Sequence, residues 1–199
     1  MPHDRAVVST FDERVDAIFE PWRGRPRVDR AAAIVSNLAD YGFVWVLLAA
    51  LKGRRRGPNR RRAIVSLGAA GVSSLLVSRA AKAAVERQRP EDQLSARVRT
   101  PTSSSFPSGH TLAAFCTAIV LSETQVATVA CVGFAGAVAA SRVHLRAHHP
   151  SDVLGGAAIG SLLGVGLRPV VTMLTPGTRR RAPRTGNGMG RQVYVLEHL

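Results

Sequence analysis

Three short segments of this chain of 199 residues concentrate side chains that could do chemistry. Residues 82–90 read KAAVERQRP, residues 101–110 read PTSSSFPSGH, and residues 141–152 read SRVHLRAHHPSD. Together they supply fixed cations, hydroxyl groups, a glycine where an apolar stretch begins, and imidazoles beside a carboxylate. Recognition and cleavage of a phosphate group need this mixture, because cations and backbone N–H groups bind the oxygens while a nucleophile and an acid act from opposite sides.

The elements that must position these groups are five apolar stretches, at approximately 33–51, 63–81, 109–122, 126–142 and 153–174. A helix needs about twenty residues to cross the hydrocarbon of a bilayer. The first, second and fifth stretches approach that length, whereas the third and fourth are short and rich in Ala and Gly, which favours close packing against other helices. We therefore predict an all-α, polytopic membrane helix bundle of about five spans, with the core of a soluble bundle as the alternative.

The charge distribution gives this bundle an orientation. The formal net charge is +14, and the basic residues are concentrated in two runs, at 52–62 and 178–184. Short loops rich in Lys and Arg stay in the cytoplasm. With five spans, both runs then lie inside the cell. The three polar segments lie at helix ends on the extracytoplasmic side of the plasma membrane, where they can converge on one pocket.

The chain divides into three parts. Residues 1–32 contain a predicted amphipathic helix over 8–20, with Thr10 and Glu13 as a capping box and Pro21 after its end. We expect this helix to lie at the membrane interface or on the bundle. Residues 33–176 form the membrane domain, and residues 177–199 form a basic cytoplasmic tail.

The polar residues also carry a family resemblance. Lys82 precedes Arg89-Pro90 by six intervening residues, Pro107-Ser108-Gly109-His110 follows, and Ser141-Arg142 leads to His148 and Asp152. This order resembles the three-part signature of the type 2 phosphatidic acid phosphatase superfamily, which also contains glucose-6-phosphatases and vanadium haloperoxidases. One part alone would be a weak signal, whereas three together at consistent helix ends are specific.

The resemblance implies a role for each matched residue. His148 is the nucleophile that becomes a phosphohistidine, Asp152 holds the other ring nitrogen, and His110 is the general acid that later activates water. The phosphate-binding residues are Lys82, Arg89, Ser108, Gly109 and Arg142. The resemblance implies neither a metal nor another cofactor, because this cation array performs the electrostatic task of a metal.

Several charged residues near the signature lie outside it. His149 is expected to be exposed or to support the site from behind, and His144 has no assigned role. Arg87 and Arg146 are expected to be solvated loop charges, with attraction of anionic headgroups toward the pocket as the alternative.

The predicted function is therefore that of an integral membrane lipid phosphatase acting on a phosphate monoester or a pyrophosphate. Glycerolipid and polyprenyl-linked substrates are both compatible with it, and the Arg- and Ala-rich composition favours the polyprenyl-linked class. A vanadium haloperoxidase is the alternative within the superfamily, although those enzymes are soluble and much longer. A basic nucleic-acid-binding protein is the other alternative, but the chain has no recognised motif and few aromatic residues for stacking, so no nucleic acid partner is expected. The sequence leaves the oligomeric state open.

Overall fold

A computed structural model describes residues 2–39, 42–53, 58–90 and 103–176. In these ranges the chain forms a short 3₁₀ helix, Glu20–Trp22, and seven α-helices: α1 (Pro2–Phe19), α2 (Pro26–Ala39), α3 (Phe43–Lys52), α4 (Pro58–Ala84), α5 (Gly109–Leu121), α6 (Gln125–His144) and α7 (Pro150–Leu174). The predicted all-α membrane bundle is confirmed. The predicted tail, 177–199, and residues 54–57 of the first basic run lie outside the described residues.

Fewer of the described helices are long and apolar enough to cross a membrane than the five spans that the sequence predicts. Helices α4, α6 and α7 are each long and apolar enough to span, and α2 with α3 makes a fourth span if the pair is taken as one. The stretch predicted at about 33–51 therefore falls on two helices, α2 and α3, which meet at an angle of 64°.

Helix α5, the predicted third span, has only 13 residues. At 1.5 Å per residue it is about 20 Å long, shorter than the hydrocarbon core of about 30 Å. It packs at the centre of the bundle against α4, α6 and α7, and Leu112, Cys116 and Ala118 are fully buried. A helix surrounded on all sides is apolar all round, which is why its sequence resembles that of a span.

Glycines allow α5 and α7 to pack in direct backbone contact. Gly156, Gly160 and Gly164 lie on one face of α7, and a Cβ atom on Gly156 would lie 2.7 Å from the carbonyl oxygen of Ser108. A Cβ atom on Gly160 would overlap the carbonyl oxygen of Leu112. Small residues at this spacing permit close approach of two helices. The result is that both helices begin at the same place, where the Ser108 N–H donates to the Asp152 carbonyl oxygen at 3.0 Å.

The bundle has two chemically different ends. The site end is formed by residues 82–90, 103–110 and 141–152, where α4 and α6 finish and α5 and α7 begin. The basic end is formed by the start of α4 and the connection between α5 and α6, where Arg62 pairs with Glu123 at 3.5 Å. The helices therefore hold the three polar segments together and keep the first basic run at the opposite end.

Helix α1 covers the site end, where it packs on α6 and α7. The predicted start at residue 8 is wrong: the helix begins at Pro2, since proline suits the first turn of a helix. Asp12 is buried on the bundle with 6% exposure, whereas Ile18 is 67% exposed and Trp22 52% exposed. The helix thus buries a carboxylate and turns apolar side chains outward, as an interfacial helix would.

Candidate active site

His148 lies in the tight loop between α6 and α7. The N–H groups of Ala147 and His148 donate to the carbonyl oxygen of Arg142 at 3.0 and 3.3 Å, which folds the loop back onto the end of α6. The ring is buried, and its Nδ1 lies 2.8 Å from the carbonyl oxygen of Ser105. A carbonyl oxygen can only accept, so Nδ1 carries the hydrogen and Nε2 holds the lone pair.

The protonation state of His148 follows from its surroundings. Burial lowers the pKa of the ring to about 4, and the positive charges of Arg142 and Arg89 act in the same direction, while Asp152 opposes them. An imidazole with this pKa is neutral at neutral pH. Its Nε2 is then available as a nucleophile without prior loss of a proton.

Arg89 lies directly against this nitrogen. Its Nη1 is 3.2 Å from His148 Nε2 and also donates to the carbonyl oxygen of Ala147 at 2.7 Å. The guanidinium is half-buried, and burial lowers the pKa of Arg89 from its usual value. An arginine nevertheless stays charged in proteins. The geometry therefore places a fixed cation beside the candidate nucleophile.

Asp152 is held differently from the prediction. Its Oδ2 lies 3.8 Å from His148 Nδ1, too long for a hydrogen bond, so Ser105 rather than Asp152 accepts from the ring. The reason is local: Asp152 is in the first turn of α7, and Oδ2 turns back to accept from the N–H of His149 at 2.9 Å. The buried carboxylate acts on the imidazole through charge at short range.

Arg87 belongs to the site, and the prediction that it is a solvated loop charge is wrong. Its Nη1 donates to Asp152 Oδ1 at 2.7 Å, and its Nη2 donates to Asp12 Oδ2 at 2.6 Å. Residues 85–90 contain no helical turn, and in an extended segment alternate side chains share a side. The two-residue spacing of Arg87 and Arg89 was therefore the available signal. Asp12, in α1, had no comparable signal in the sequence.

The remaining predicted cations lie at the same end of the bundle. Lys82, in the last turn of α4, donates to Ser103 Oγ at 3.3 Å. Arg142, near the end of α6, is fully buried, and its Nη1 donates to Ser36 Oγ at 2.6 Å. In the described ranges no group of His, Cys, Asp and Glu side chains is placed to hold a metal ion.

The start of α5 carries the other predicted residues. The Ser108 hydroxyl accepts from Thr111 Oγ1 at 3.0 Å, so its own hydrogen is left to donate. Gly109 faces α4, where a Cβ atom would lie 3.1 Å from Ser78 Oγ, so the glycine allows close packing of the two helices. His110 is the second residue of α5 and is partly buried.

His144 and Arg146 support the loop that carries His148. The buried His144 ring lies 2.8 Å from Asp29 Oδ1 through its Nε2. Arg146 donates to Glu20 Oε2 at 2.9 Å, so it is an ion-paired residue rather than the predicted solvated one. His149 is the N-cap residue immediately before α7 and is partly buried, with its Nε2 3.3 Å from the carbonyl oxygen of Gln88.

A cavity of about 830 Å³ opens beside Lys82. Its size is within the range of small-molecule sites. Charged and hydroxyl side chains dominate its walls, which are formed by Leu75, Ser78, Arg79, Lys82, Ala83, Glu86, Arg87, Gln88, Ser103 and Ser104. Such a lining suits a hydroxylated, negatively charged group.

Comparison with known proteins shows what the chain is similar to. The profile of the PAP2 superfamily matches residues 62–176. Decaprenylphosphoryl-5-phosphoribose phosphatase of Mycolicibacterium smegmatis is 32% identical over 67% of this chain and 73% of that protein. The protein of the same name from Mycobacterium tuberculosis is 31% identical over 70% of this chain and 78% of its own length.

Two solved structures share the fold. The PAP2-type phosphatidylglycerolphosphate phosphatase of Bacillus subtilis has a TM-score of 0.69 at 22% identity, covering 88% of this chain and 90% of that one. LpxE of Aquifex aeolicus has a TM-score of 0.56 at 22% identity, covering 76% and 91%. The profile match includes every predicted site residue, whereas Asp12 lies before it.

Proposed function

The chain belongs to the PAP2 superfamily, the type 2 phosphatidic acid phosphatases, and on that premise we propose that it removes the terminal phosphate of a polyprenyl-phosphosugar phosphate through a phosphohistidine intermediate. Family membership makes the protein a multi-pass membrane phosphatase of lipid phosphates. The observation that carries the proposed mechanism is the neutral His148 ring, with its Nε2 lone pair against Arg89 and further cations at the same end of the bundle.

In the first step His148 Nε2 attacks phosphorus and the ester P–O bond breaks. As the substrate binds, the Arg89 N–H moves its hydrogen bond from His148 Nε2 to a phosphate oxygen, which exposes the Nε2 lone pair. Nδ1–H keeps its bond to the Ser105 carbonyl oxygen, and Asp152 stabilises the positive charge that the phosphorylated ring acquires. His110, protonated at this stage, gives its proton to the leaving alcohol.

In the second step water replaces His148 on phosphorus. The neutral His110 accepts a proton from the water as its oxygen attacks, the P–N bond breaks, and inorganic phosphate leaves with His148 restored. Lys82, Arg89 and Arg142 neutralise the phosphoryl oxygens in both steps. Because fixed cations supply this charge, we propose that the reaction is metal-independent and continues in EDTA.

The cavity beside Lys82 supports a sugar-bearing substrate. A polyprenyl-phosphosugar phosphate carries a second phosphate, in the diester that joins the sugar to the prenyl chain. Arg79 lies three residues before Lys82 on α4, about 4.5 Å along the helix, and both line the cavity. We place the terminal phosphate at Lys82, the sugar in the cavity, the diester at Arg79 and the first prenyl units at Leu75.

The proposed orientation puts the site end outside the cell. The first basic run adjoins the start of α4, and Lys82 lies in the last turn of the same helix. Since the two ends of α4 lie on opposite sides of the bilayer, retention of the basic run in the cytoplasm places the site on the extracytoplasmic side.

The purified protein in detergent tests this function. Phosphate release in EDTA is compared for a polyprenyl-phosphoribose phosphate, a polyprenyl pyrophosphate, phosphatidylglycerol phosphate and phosphatidic acid. The sugar-bearing substrate is expected to give the highest kcat/KM. Preference for a glycerolipid would overturn the substrate proposal alone, and a strict Mg²⁺ requirement would overturn the cation-array mechanism. Halide oxidation with vanadate would instead support the haloperoxidase alternative.

A further inference from the structure

We infer that Asp12 and Arg87 are positioning residues for His148, linked in the order Asp12–Arg87–Asp152, so that the N-terminal helix holds the nucleophile in place. This inference rests on the proposed role of His148 as nucleophile. Neither Asp12 nor Arg87 belongs to the three-part signature.

Asp12 is the first link of this chain. Its Oδ2 accepts from Arg87 Nη2 at 2.6 Å and from Ser151 Oγ at 2.9 Å, while Oδ1 accepts from the Ser151 N–H at 2.7 Å. Burial of a carboxylate is costly unless it is paired and hydrogen-bonded. All three of these donors belong to the site end of the bundle. Asp12 therefore fastens α1 to the first turn of α7 and to the segment that carries Arg89.

Arg87 is the second link, and it reaches both partners of the His148 ring. Its guanidinium donates to Asp152 Oδ1, and its carbonyl oxygen accepts from the Ser105 N–H at 2.9 Å. Ser105 in turn accepts from the ring, and Asp152 provides the nearby negative charge. One residue thus fixes the hydrogen-bond acceptor through its main chain and the carboxylate through its side chain.

A second set of contacts joins the N-terminal region to the same loop. Arg23 donates to the carbonyl oxygens of Val143 and His144, each at 3.1 Å, and pairs with Asp16 and Glu20. The N-terminal region therefore contacts the loop before His148, while Asp12 contacts α7 after it. Movement of α1 would be transmitted to both sides of the nucleophile.

The expected consequence is an effect on turnover rather than on substrate binding. The linked residues Asp12, Arg87 and Asp152 act on the groups that hold the His148 ring rather than on the cations that bind phosphate. Arg87 is, however, only two residues from Arg89 in the sequence. Small errors in the direction of attack reduce the rate of the chemical step strongly. Loss of Asp12 is therefore expected to lower kcat and leave KM almost unchanged. Loss of Arg87, which also lines the cavity beside Lys82, is expected to lower kcat and to raise KM for the sugar-bearing substrate as well.

The test compares kcat and KM for Asp12→Asn, Arg87→Gln, Arg87→Lys and Ser151→Ala in the full-length protein, with Glu13→Gln as the matched control. Glu13 is the exposed neighbour of Asp12 on the same helix. Asp12→Asn and Arg87→Gln are each expected to lower kcat about 10- to 100-fold, and KM in Asp12→Asn should stay within about twofold of wild type. Arg87→Lys should keep part of the rate, and Glu13→Gln should match wild type.

Two further measurements separate positioning from a loss of folding. The double variant Asp12→Asn/Arg87→Gln should be no slower than Arg87→Gln alone, because residues that act through one contact are not additive. The charges facing His148 are Arg89 and Arg142 on one side and Asp152 on the other. Arg87→Gln leaves Asp152 uncompensated, so the acid limb of kcat/KM should move to higher pH, whereas Asp12→Asn should move it to lower pH. A purely structural role would not shift the limb in opposite directions.

Ser151→Ala tests the same network with less risk of misfolding, since it removes hydroxyl contacts to both Asp12 and Arg87 without burying an unpaired charge. It should lower kcat less than either charge variant. Wild-type kcat in Asp12→Asn and Arg87→Gln, a loss confined to KM, or additive losses would overturn the inference while the wild-type enzyme remains active. If the wild-type protein forms no phosphohistidine, the proposed function itself fails.

Discussion

Arg89 Nη1 lies 3.2 Å from His148 Nε2, so the cation that would bind the phosphate touches the nitrogen that would attack it. The same ring donates through Nδ1 to the Ser105 carbonyl oxygen at 2.8 Å. The lone pair of Nε2 is therefore directed at the Arg89 guanidinium. When a substrate binds, the Arg89 N–H would move its hydrogen bond from His148 Nε2 to a phosphate oxygen. Substrate binding would thereby free Nε2 to attack.

His148→Ala is expected to lower phosphate release by about 10⁴-fold or more, because the proposed covalent intermediate forms on this ring. Rapid quenching with ³²P-labelled substrate should trap an acid-labile, alkali-stable phosphoenzyme in the wild type and none in the variant. His149→Ala is the matched control, since this neighbouring ring is partly buried, its Nε2 lies 3.3 Å from the Gln88 carbonyl oxygen, and it is not one of the proposed phosphate-binding or catalytic residues. Equal losses in both variants would contradict the assignment.

The pH dependence should report a neutral nucleophile. The pKa of His148 is lowered from 6.5 to about 4, so the reactive neutral form is complete at neutral pH and is lost only as the pH falls through 4. After correction for substrate ionisation, measured by ³¹P chemical shift, kcat/KM should not fall as the pH is lowered from about 7 to about 5. A fall in kcat/KM below about pH 6.5 that persists when each of the other histidines is replaced would contradict this prediction. It would show that the His148 ring titrates like an ordinary, solvated imidazole.

Gly160→Ala should destabilise the bundle, because the added Cβ atom would overlap the Leu112 carbonyl oxygen of α5. Overpacking of this kind costs about 1–3 kcal/mol. The midpoint of thermal unfolding in detergent is the measurement. Gly166→Ala is the control on the same helix, since a Cβ atom there has open space around it. A lower midpoint for Gly166→Ala than for Gly160→Ala would contradict the packing.

The orientation can be tested by cysteine labelling of intact cells after Cys116 and Cys131 are replaced by Ala. A membrane-impermeant maleimide should modify Gln88→Cys, at the site end, without permeabilisation. Asn59→Cys, at the start of α4, should react only after the membrane is opened, because the proposed orientation places the basic end in the cytoplasm. Both native side chains are exposed. The reverse labelling pattern would place the site inside the cell.

Arg79→Gln should weaken binding of substrates that carry a phosphodiester. A hydrogen bond to a charged group contributes about 1.5–3 kcal/mol, so KM for a polyprenyl-phosphoribose phosphate should rise about tenfold or more. KM for phosphatidic acid, which has no second phosphate, should not change. Arg61→Gln, an exposed arginine at the basic end of the same helix, is the control. A similar rise for both substrates would refute a diester subsite at Arg79.

Much of the site's placement follows from local sequence. The signature residues lie where apolar stretches begin or end, and successive helices of a bundle joined by short connections run in opposite directions, so alternate connections meet at one end. Pro150 marks the start of α7 because proline suits a first helical turn. The all-α fold and the common end of Lys82, Arg89, Arg142 and His148 could therefore be predicted from residue types and spacing.

Some elements could not be read correctly because packing overrides local pattern. The sequence of α5 resembles a span, yet the helix has 13 residues and lies among α4, α6 and α7. The break between α2 and α3 likewise divides the stretch at 33–51, which the sequence assigns to one span, into two helices at an angle of 64°. Hydrophobicity reports that a segment avoids water, and it does not report whether lipid or protein surrounds it.

The sequence by itself determined which residues could do the chemistry and at which end of the bundle they meet. Only the tertiary structure decided how they are held: Ser105 rather than Asp152 accepts from His148, and Asp12 joins Arg87 across 75 positions of sequence. The physical reason is that helix ends are set by neighbouring residues, whereas the choice of partner among 13 acidic residues depends on which one the fold buries beside the guanidinium.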